Sequence, residues 1–255
     1  MAIMKYIAAF PLATLFVSMI GIALGQSTNK TLDFRIDIDI YGDVSKPPIK
    51  QTQTIFASGQ YIELDDDTHR VTVIDPKNSR ITILDSNKKT LVHLEMSALE
   101  SRLSGALAKL TEEQRRWFSS DGEPSLGTDN YVDFGNERLR YRFRAVTPSN
   151  SEIATSYGDF ANWSVRINAL FNQTPPVLRM QLNELLISQR QLPAELRRLT
   201  VVGPQNDKDP NSKTEEIVAR LIYKESLSDN DRTRIATVLK SMGEYKPLTE
   251  KEFFR

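Results

Sequence analysis

The sequence contains no cysteine, and His69 and His93 are its only histidines. The absence of cysteine excludes a disulfide framework, a thiolate-ligated zinc or iron–sulfur site and a cysteine nucleophile. Glycine is also scarce: none of the 11 glycines stands at G-x-G spacing from another, which excludes the glycine-rich loops that bind dinucleotides. The motifs G-x-S-x-G and H-E-x-x-H are absent as well. We therefore expect no bound cofactor, and the sequence favours a protein without enzymatic activity.

Positive charge is not in excess, because 33 Lys and Arg residues balance 33 Asp and Glu residues. Proteins that bind nucleic acids usually carry a basic excess, so we expect no nucleic-acid partner. The carboxylates leave one enzymatic alternative open. A pair of Asp or Glu residues is enough for glycoside hydrolysis, so a carboxylate-dependent hydrolase remains an alternative hypothesis.

Charge is nearly absent from the first 25 residues, where Lys5 is the only charged side chain. The 19 residues from 6 to 24 are uncharged, and Ala23 and Gly25 stand at the spacing of a cleavage site. This layout predicts a signal peptide at residues 1–25, cleaved near Gly25. The alternative is an uncleaved membrane anchor, because the run nearly spans a bilayer. We expect export to a bacterial periplasm or beyond, a single domain at residues 26–255, and no membrane span after cleavage.

After the predicted signal peptide, residues 32–40 alternate strictly between apolar and charged side chains. Apolar side chains occupy the even positions from Leu32 to Ile40, and charged ones occupy the odd positions from Asp33 to Asp39. This period of two predicts a strand with one buried and one solvated face. Residues 71–75 recur ten positions later as residues 81–85, which is the spacing of a hairpin.

Apolar residues at a spacing of three and four predict helices between these strands. The predicted helices cover residues 96–110, 157–171, a segment from Pro175 to before Pro193, and 228–243, and a capping box at Thr111 begins a short one. Further strands are predicted at residues 52–57, 61–64, 138–145, 196–202 and 216–224. The predicted fold class is α+β, with a largely antiparallel sheet and helices packed on one face.

Four arginines line one face of the strand at 138–145: Arg138, Arg140, Arg142 and Arg144. Spread over about 20 Å of strand, they suit the binding of an anion or of an envelope protein partner. The alternative is a solvated face whose arginines pair with the acidic residues of a neighbouring first strand. Those acidic residues are Asp33, Asp37 and Asp39.

Three consecutive aspartates at residues 65–67, with His69 nearby, could coordinate a cation. The alternating spacing and the glycine of a calcium loop are absent, so we interpret the segment as a surface turn and predict no metal site.

A ligand groove would form if one face of the sheet were concave. Its lining would come from apolar residues of two strands: Ile36, Ile38, Tyr141 and Phe143, with Val73 and Ile83 beside them. Burial of an acyl chain there would contribute about 0.8 kcal/mol per methylene. The alternative is that these residues pack against the helices and leave no groove.

The segment Ser58-Gly59-Gln60-Tyr61, followed by two strands that each close on Asp, resembles the early meander of the outer-membrane lipoprotein carriers. Residues 160–163 and 227–235 also resemble a family of exported bacterial proteins of unassigned function. The first resemblance implies a strongly curved antiparallel sheet wrapped around helices. It also implies an exported, non-enzymatic protein that binds a lipid or another amphipathic ligand. A protein-interaction module that uses the arginine strand is the alternative function.

Overall fold

The computed structural model describes residues 32–172, 175–202 and 213–254, so the predicted signal peptide lies outside the described residues. The described residues form twelve strands: β1 (Phe34–Tyr41), β2 (Lys50–Ala57), β3 (Gln60–Asp65), β4 (Arg70–Asp75), β5 (Arg80–Asp85), β6 (Thr90–Glu95), β7 (Ser125–Leu126), β8 (Val132–Gly135), β9 (Leu139–Val146), β10 (Leu192–Val202), β11 (Lys213–Lys224) and β12 (Lys246–Pro247). They also form six α-helices: α1 (Met96–Ala108), α2 (Glu112–Trp117), α3 (Ser151–Asn172), α4 (Val177–Ser188), α5 (Asp229–Ser241) and α6 (Glu250–Phe253).

All twelve strands of the described chain join one curved sheet that does not close. Its order is β12-β6-β5-β4-β3-β2-β1-β11-β10-β9-β8-β7. Every pair is antiparallel except β12 with β6, which run parallel. The fold is therefore α+β with a mostly antiparallel sheet, as the hydrophobic pattern predicts.

Tight turns join the strands from β2 to β6. A residue with a left-handed backbone ends each turn just before the next strand, and these residues include His69, Ser79 and Lys89, with φ between 51° and 55°. Asp75 and Asp85 cap two of the turns, because their carboxylates accept the backbone N–H groups of the residues three positions later. The two copies of the ten-residue repeat are thus the paired strands of a hairpin. The aspartate at the end of each copy stabilises the turn that follows it.

Four strands of the sheet, β6, β7, β8 and β12, are not predicted by the sequence pattern, and two of these, β7 and β12, have only two residues each. Strand β6 continues the meander where the pattern suggests a transition to helix, and it presents His93 outward. Strand β8 has only four residues, too few to show a clear period of two. Short strands of this kind depend on their neighbours, which supply the hydrogen bonds.

The strands β2 to β6 bury apolar side chains on both faces. The neighbours Ile55 and Phe56 point to opposite faces, yet they are only 0% and 2% exposed. One face packs against α1, α3 and α6, whereas the other packs against Ile235 and Val238 of α5. The expectation that helices cover one face only is therefore wrong. The physical reason is that a sheet with two apolar faces has to be covered on both.

Helix α5 is anchored to the sheet through its first turn. Ser228 and Asp231 form a capping box, in which each side chain accepts the backbone N–H of the other residue. Asp231 is buried and also pairs with Arg35 of β1 at 2.6 Å. One carboxylate therefore both caps the helix and fixes it to the sheet.

Helix α4 packs beside α3 on the same face of the sheet, over β8 to β10. The opposite face of β8 to β11 carries mainly charged side chains: Asp133, Arg140, Arg142, Arg144, Glu195, Arg197, Glu216 and Arg220. Among the described residues, no helix has both the length and the apolar composition to cross a bilayer.

Candidate functional site

A cleft of about 370 Å³ lies between helices α1 and α3, and we call it the α1–α3 cleft. Its lining is predominantly apolar: Leu99, Leu103, Ala106 and Leu107 of α1, Ala169 and Leu170 of α3, and Pro175. Met96 and Leu99 are the buried residues of α1, and Leu103 and Leu107 are only half-buried. The apolar face of α1 therefore extends beyond what the core covers. Ligand sites in proteins commonly occupy about 300–1,000 Å³ and are lined in this way.

Two arginines complete the lining of the α1–α3 cleft. Arg166 lies 4.7 Å from the ring centroid of Trp163, and Arg102 pairs with Glu250 of α6. A second depression of about 640 Å³ adjoins the cleft and shares Arg102 and Leu170 with it. The apolar cleft thus opens toward a charged end, an arrangement that suits an amphipathic molecule.

The residues predicted to bind a ligand lie elsewhere. Ile36 and Ile38 are on β1, and Tyr141 and Phe143 are on β9, three strands along the sheet. All four face the helices, where Ile36, Tyr141 and Phe143 are buried and Ile38 is half-buried. None of them lines the α1–α3 cleft. A ligand that contacted them would have to displace α3 or α4, and their role in binding stays a prediction.

Two further residues of the predicted groove lie on opposite faces of the sheet. Val73 packs in the cluster covered by α5, whereas Ile83 packs in the cluster covered by α1 and α3. They therefore cannot line one groove. The period of two in each strand does not reveal this, because the register between strands decides which residues share a face.

The four arginines of β9 have different environments. Arg142 makes a bidentate contact with Asp133 of β8, at 2.8 and 3.0 Å, and Arg144 contacts Glu195 of β10 at 3.2 Å. Arg138 lies 4.5 Å from the centroid of the Trp117 ring. Arg140 is exposed and makes no ion pair with any described residue.

The acidic partners of the arginines are not the predicted ones. Asp33 directly precedes β1, and Asp37 belongs to it. Strands β11 and β10 lie between β1 and β9 in the sheet. They pair instead with Arg232, Arg35 and Lys224. The arginines of β9 find their carboxylates on the adjacent strands, β8 and β10, so the predicted pairing with the first strand is wrong.

Glu195 is the centre of a polar cluster that we call the Glu195 cluster; its other members are Tyr131, Arg144, Arg197 and Arg220. Its Oε1 accepts hydrogen bonds from the Tyr131 hydroxyl at 2.6 Å and from Arg197 Nε at 2.8 Å. Its Oε2 accepts from Arg144 Nη2 at 3.2 Å and from Arg220 Nε at 3.3 Å. One buried carboxylate therefore holds three guanidinium groups together.

The protonation of Glu195 follows from these contacts. Burial alone would raise its pKa, but the hydrogen bonds from Tyr131 and Arg197 and the charges of Arg197 and Arg144 lower the pKa to about 2. Glu195 is thus ionised at neutral pH and acts as a fixed counter-ion.

The aspartates at residues 65–67 do not converge on a common point. Asp65 pairs with Lys50 at 2.8 Å, Asp66 pairs with Arg234 at 3.1 Å, and Asp67 accepts a backbone N–H. The segment is the turn between β3 and β4, as the interpretation of a surface turn predicts. Within the described ranges, no three His, Asp or Glu side chains are grouped so as to hold a metal ion.

The pKa values of two neighbouring carboxylates, Glu63 and Asp65, are shifted in opposite directions. Glu63 and Asp65 lie two residues apart on the same face of β3. Burial raises the pKa of Glu63. Burial acts in the same direction on Asp65, but hydrogen bonds from Lys50 and Thr68 outweigh it and lower the pKa of Asp65. Neither residue lines the α1–α3 cleft, so we assign the pair no role there.

Sequence reasoning missed most of the Glu195 cluster. Glu195 and Arg197 are separated by one residue, so they lie on the same face of β10, as the arginines of β9 do on theirs. This spacing is the sequence signal that could have indicated a second charged strand face. Glu195 lies outside the predicted strand, whose start is set at residue 196. In the structure, β10 begins at Leu192 and has an irregular register between Pro193 and Glu195.

No protein-family model matches the chain, and a comparison with curated proteins gives no match.

Proposed function

We propose that the chain is an exported, non-enzymatic protein that binds an amphipathic ligand, an acyl chain with an anionic group, in the α1–α3 cleft. The observation that carries this proposal is the apolar lining of the cleft beside Arg102 and Arg166. The half-buried leucines of α1 would gain burial against the acyl chain. Each methylene buried there contributes about 0.8 kcal/mol, before the ordering of the ligand is subtracted.

The curved antiparallel sheet supports the proposal in a second way, because the resemblance to lipoprotein carriers implies such a sheet. The location of the ligand differs from the one that the sequence suggests. It lies between two helices on the edge of the core and not on the sheet itself.

Native mass spectrometry tests export and ligand binding together. The full chain is expressed in a bacterium and recovered from the envelope without detergent. We expect a polypeptide mass equal to residues 26–255, and an additional mass that organic extraction removes. The uncleaved mass would contradict the predicted signal peptide. A clean polypeptide mass would count against a ligand that is retained through purification.

Titration with dodecanoate tests the cleft directly. We expect Leu103→Gln to weaken binding about tenfold, which corresponds to about 1.4 kcal/mol. Leu239→Gln is the matched control, because Leu239 is a 40% exposed leucine on α5, outside the cleft. Dodecanol, which lacks the charge, should bind more weakly than dodecanoate. Absence of binding at millimolar dodecanoate, or equal binding by both variants, would refute the proposal.

A further inference from the structure

We propose that the Glu195 cluster is an anion-binding site, which takes a carboxylate or phosphate group of a ligand through Arg144 and Arg220. The site lies on the opposite face of the sheet from the α1–α3 cleft, and it is independent of the ligand proposed there.

The first argument is an excess of donors. A guanidinium group carries five N–H donors. Arg144 and Arg220 each donate one hydrogen bond within the described chain, and both go to Oε2 of Glu195. Their side chains remain 50% and 44% exposed. The unused donors therefore face solvent from two arginines that meet at one oxygen.

The second argument is an excess of positive charge. Three arginines surround Glu195, and in the part of the chain that the structure describes the only other carboxylate that forms an ion pair with them is Glu216, at 3.4 Å from Arg197. The neighbouring Arg142 is matched by Asp133, and Arg140 on the same strand has no ion pair among the described residues. A second anion would be attracted to this surface.

The third argument is preorganisation. Arg144 and Arg197 both lie over the ring of Tyr131, at 4.9 and 5.0 Å from its centroid, and Arg220 lies over the ring of Tyr41 at 5.1 Å. The rings and the Glu195 carboxylate hold the guanidinium groups before any ligand arrives. An anion would therefore lose little free energy in ordering side chains, and planar guanidinium groups suit carboxylate and phosphate oxygens.

Titration calorimetry with inorganic phosphate and with citrate, at low ionic strength, tests the site. We expect at least one of the two anions to bind, and the stronger binder identifies the group that the site prefers. Arg144→Gln and Arg220→Gln should each weaken binding about tenfold. Arg232→Gln is the matched control, because Arg232 is a 56% exposed arginine paired with Asp33, outside the cluster. Circular dichroism confirms that each variant is folded.

A second variant acts in the opposite direction. Glu216→Gln removes the carboxylate at the rim and should tighten binding about threefold. A purely structural cluster would not show this gain. The proposal is overturned if neither anion binds at millimolar concentration, or if the cluster variants and the control bind equally well.

Discussion

Glu195 stabilises the sheet because its negative charge compensates the positive charges of Arg144, Arg197 and Arg220. The residue is 3% exposed, and its carboxylate is in contact with three arginines and with Tyr131. Removal of one partner from a buried ion pair leaves the other charges without compensation, which typically costs about 3–5 kcal/mol.

We expect Glu195→Gln to lower the free energy of unfolding by about 3 kcal/mol, as measured by urea denaturation. Glu112→Gln is the control. Glu112 pairs with Arg116, but both side chains are at least 75% exposed, and such pairs contribute below about 1 kcal/mol. Similar small losses in both variants would show that the Glu195 cluster contributes little to stability.

The same variant has a pH dependence whose sign is fixed by the pKa of Glu195. A carboxylate with a lowered pKa stabilises the fold above its ordinary pKa, 4.5 here, and this stabilisation is lost as the pH falls toward about 2. The difference in unfolding free energy between wild type and Glu195→Gln should therefore shrink below pH 4.5. If the difference in unfolding free energy between the two proteins were the same at neutral and at acidic pH, the lowered pKa of Glu195 would be contradicted.

At the scale of helices, two glycines distinguish a tight contact from an open one. Gly158 of α3 faces α4 so closely that an added Cβ would lie 2.2 Å from Cδ1 of Ile187. Gly105 of α1 has no atom within 4 Å of such a Cβ. Both glycines lie inside helices, where alanine is intrinsically favoured by about 1 kcal/mol.

We expect Gly105→Ala to raise the free energy of unfolding by about 0.5–1 kcal/mol and Gly158→Ala to lower it by about 1–3 kcal/mol, through overpacking. Thermal or urea denaturation measures both changes. Ile187→Ala, combined with Gly158→Ala, should recover part of the loss, because it removes the clashing atoms. If both glycine variants were stabilised, α3 and α4 would not be in close contact.

Across the whole molecule, stability should be lowest where the core is incomplete. Helix α3 has a continuous buried face that includes Ile153, Phe160 and Ile167, whereas α1 beyond Leu99 is only partly buried. Segments with few buried apolar contacts open locally at low free energy. We expect amides of residues 103–108 to exchange hydrogen faster than those of residues 157–167.

Hydrogen exchange followed by mass spectrometry measures this difference, and dodecanoate should slow exchange in residues 103–108. Citrate or phosphate should leave that segment unchanged, because the Glu195 cluster lies on the other face of the sheet. If the amides of α1 and α3 exchanged hydrogen at equal rates, the inference that α1 beyond Leu99 is less stable than α3 would be contradicted.

The local pattern of the sequence determined much of the fold. Alternation gave β1, β4, β5 and β9, and capping boxes marked the starts of α2 and α5. These signals are local, because a hydrophobic period or a capping hydrogen bond involves residues close together in the chain.

The order and register of the strands were decided only by the tertiary structure. They place β9 next to β8 and β10, so that Arg142 and Arg144 meet Asp133 and Glu195 and not the aspartates of β1. They also leave apolar residues on both faces of β2 to β6, so that α5 covers the second face. The α1–α3 cleft and the Glu195 cluster depend on contacts between residues far apart in the chain. A period within one segment carries no information about which distant segment will lie beside it, and so neither site could be derived from the sequence alone.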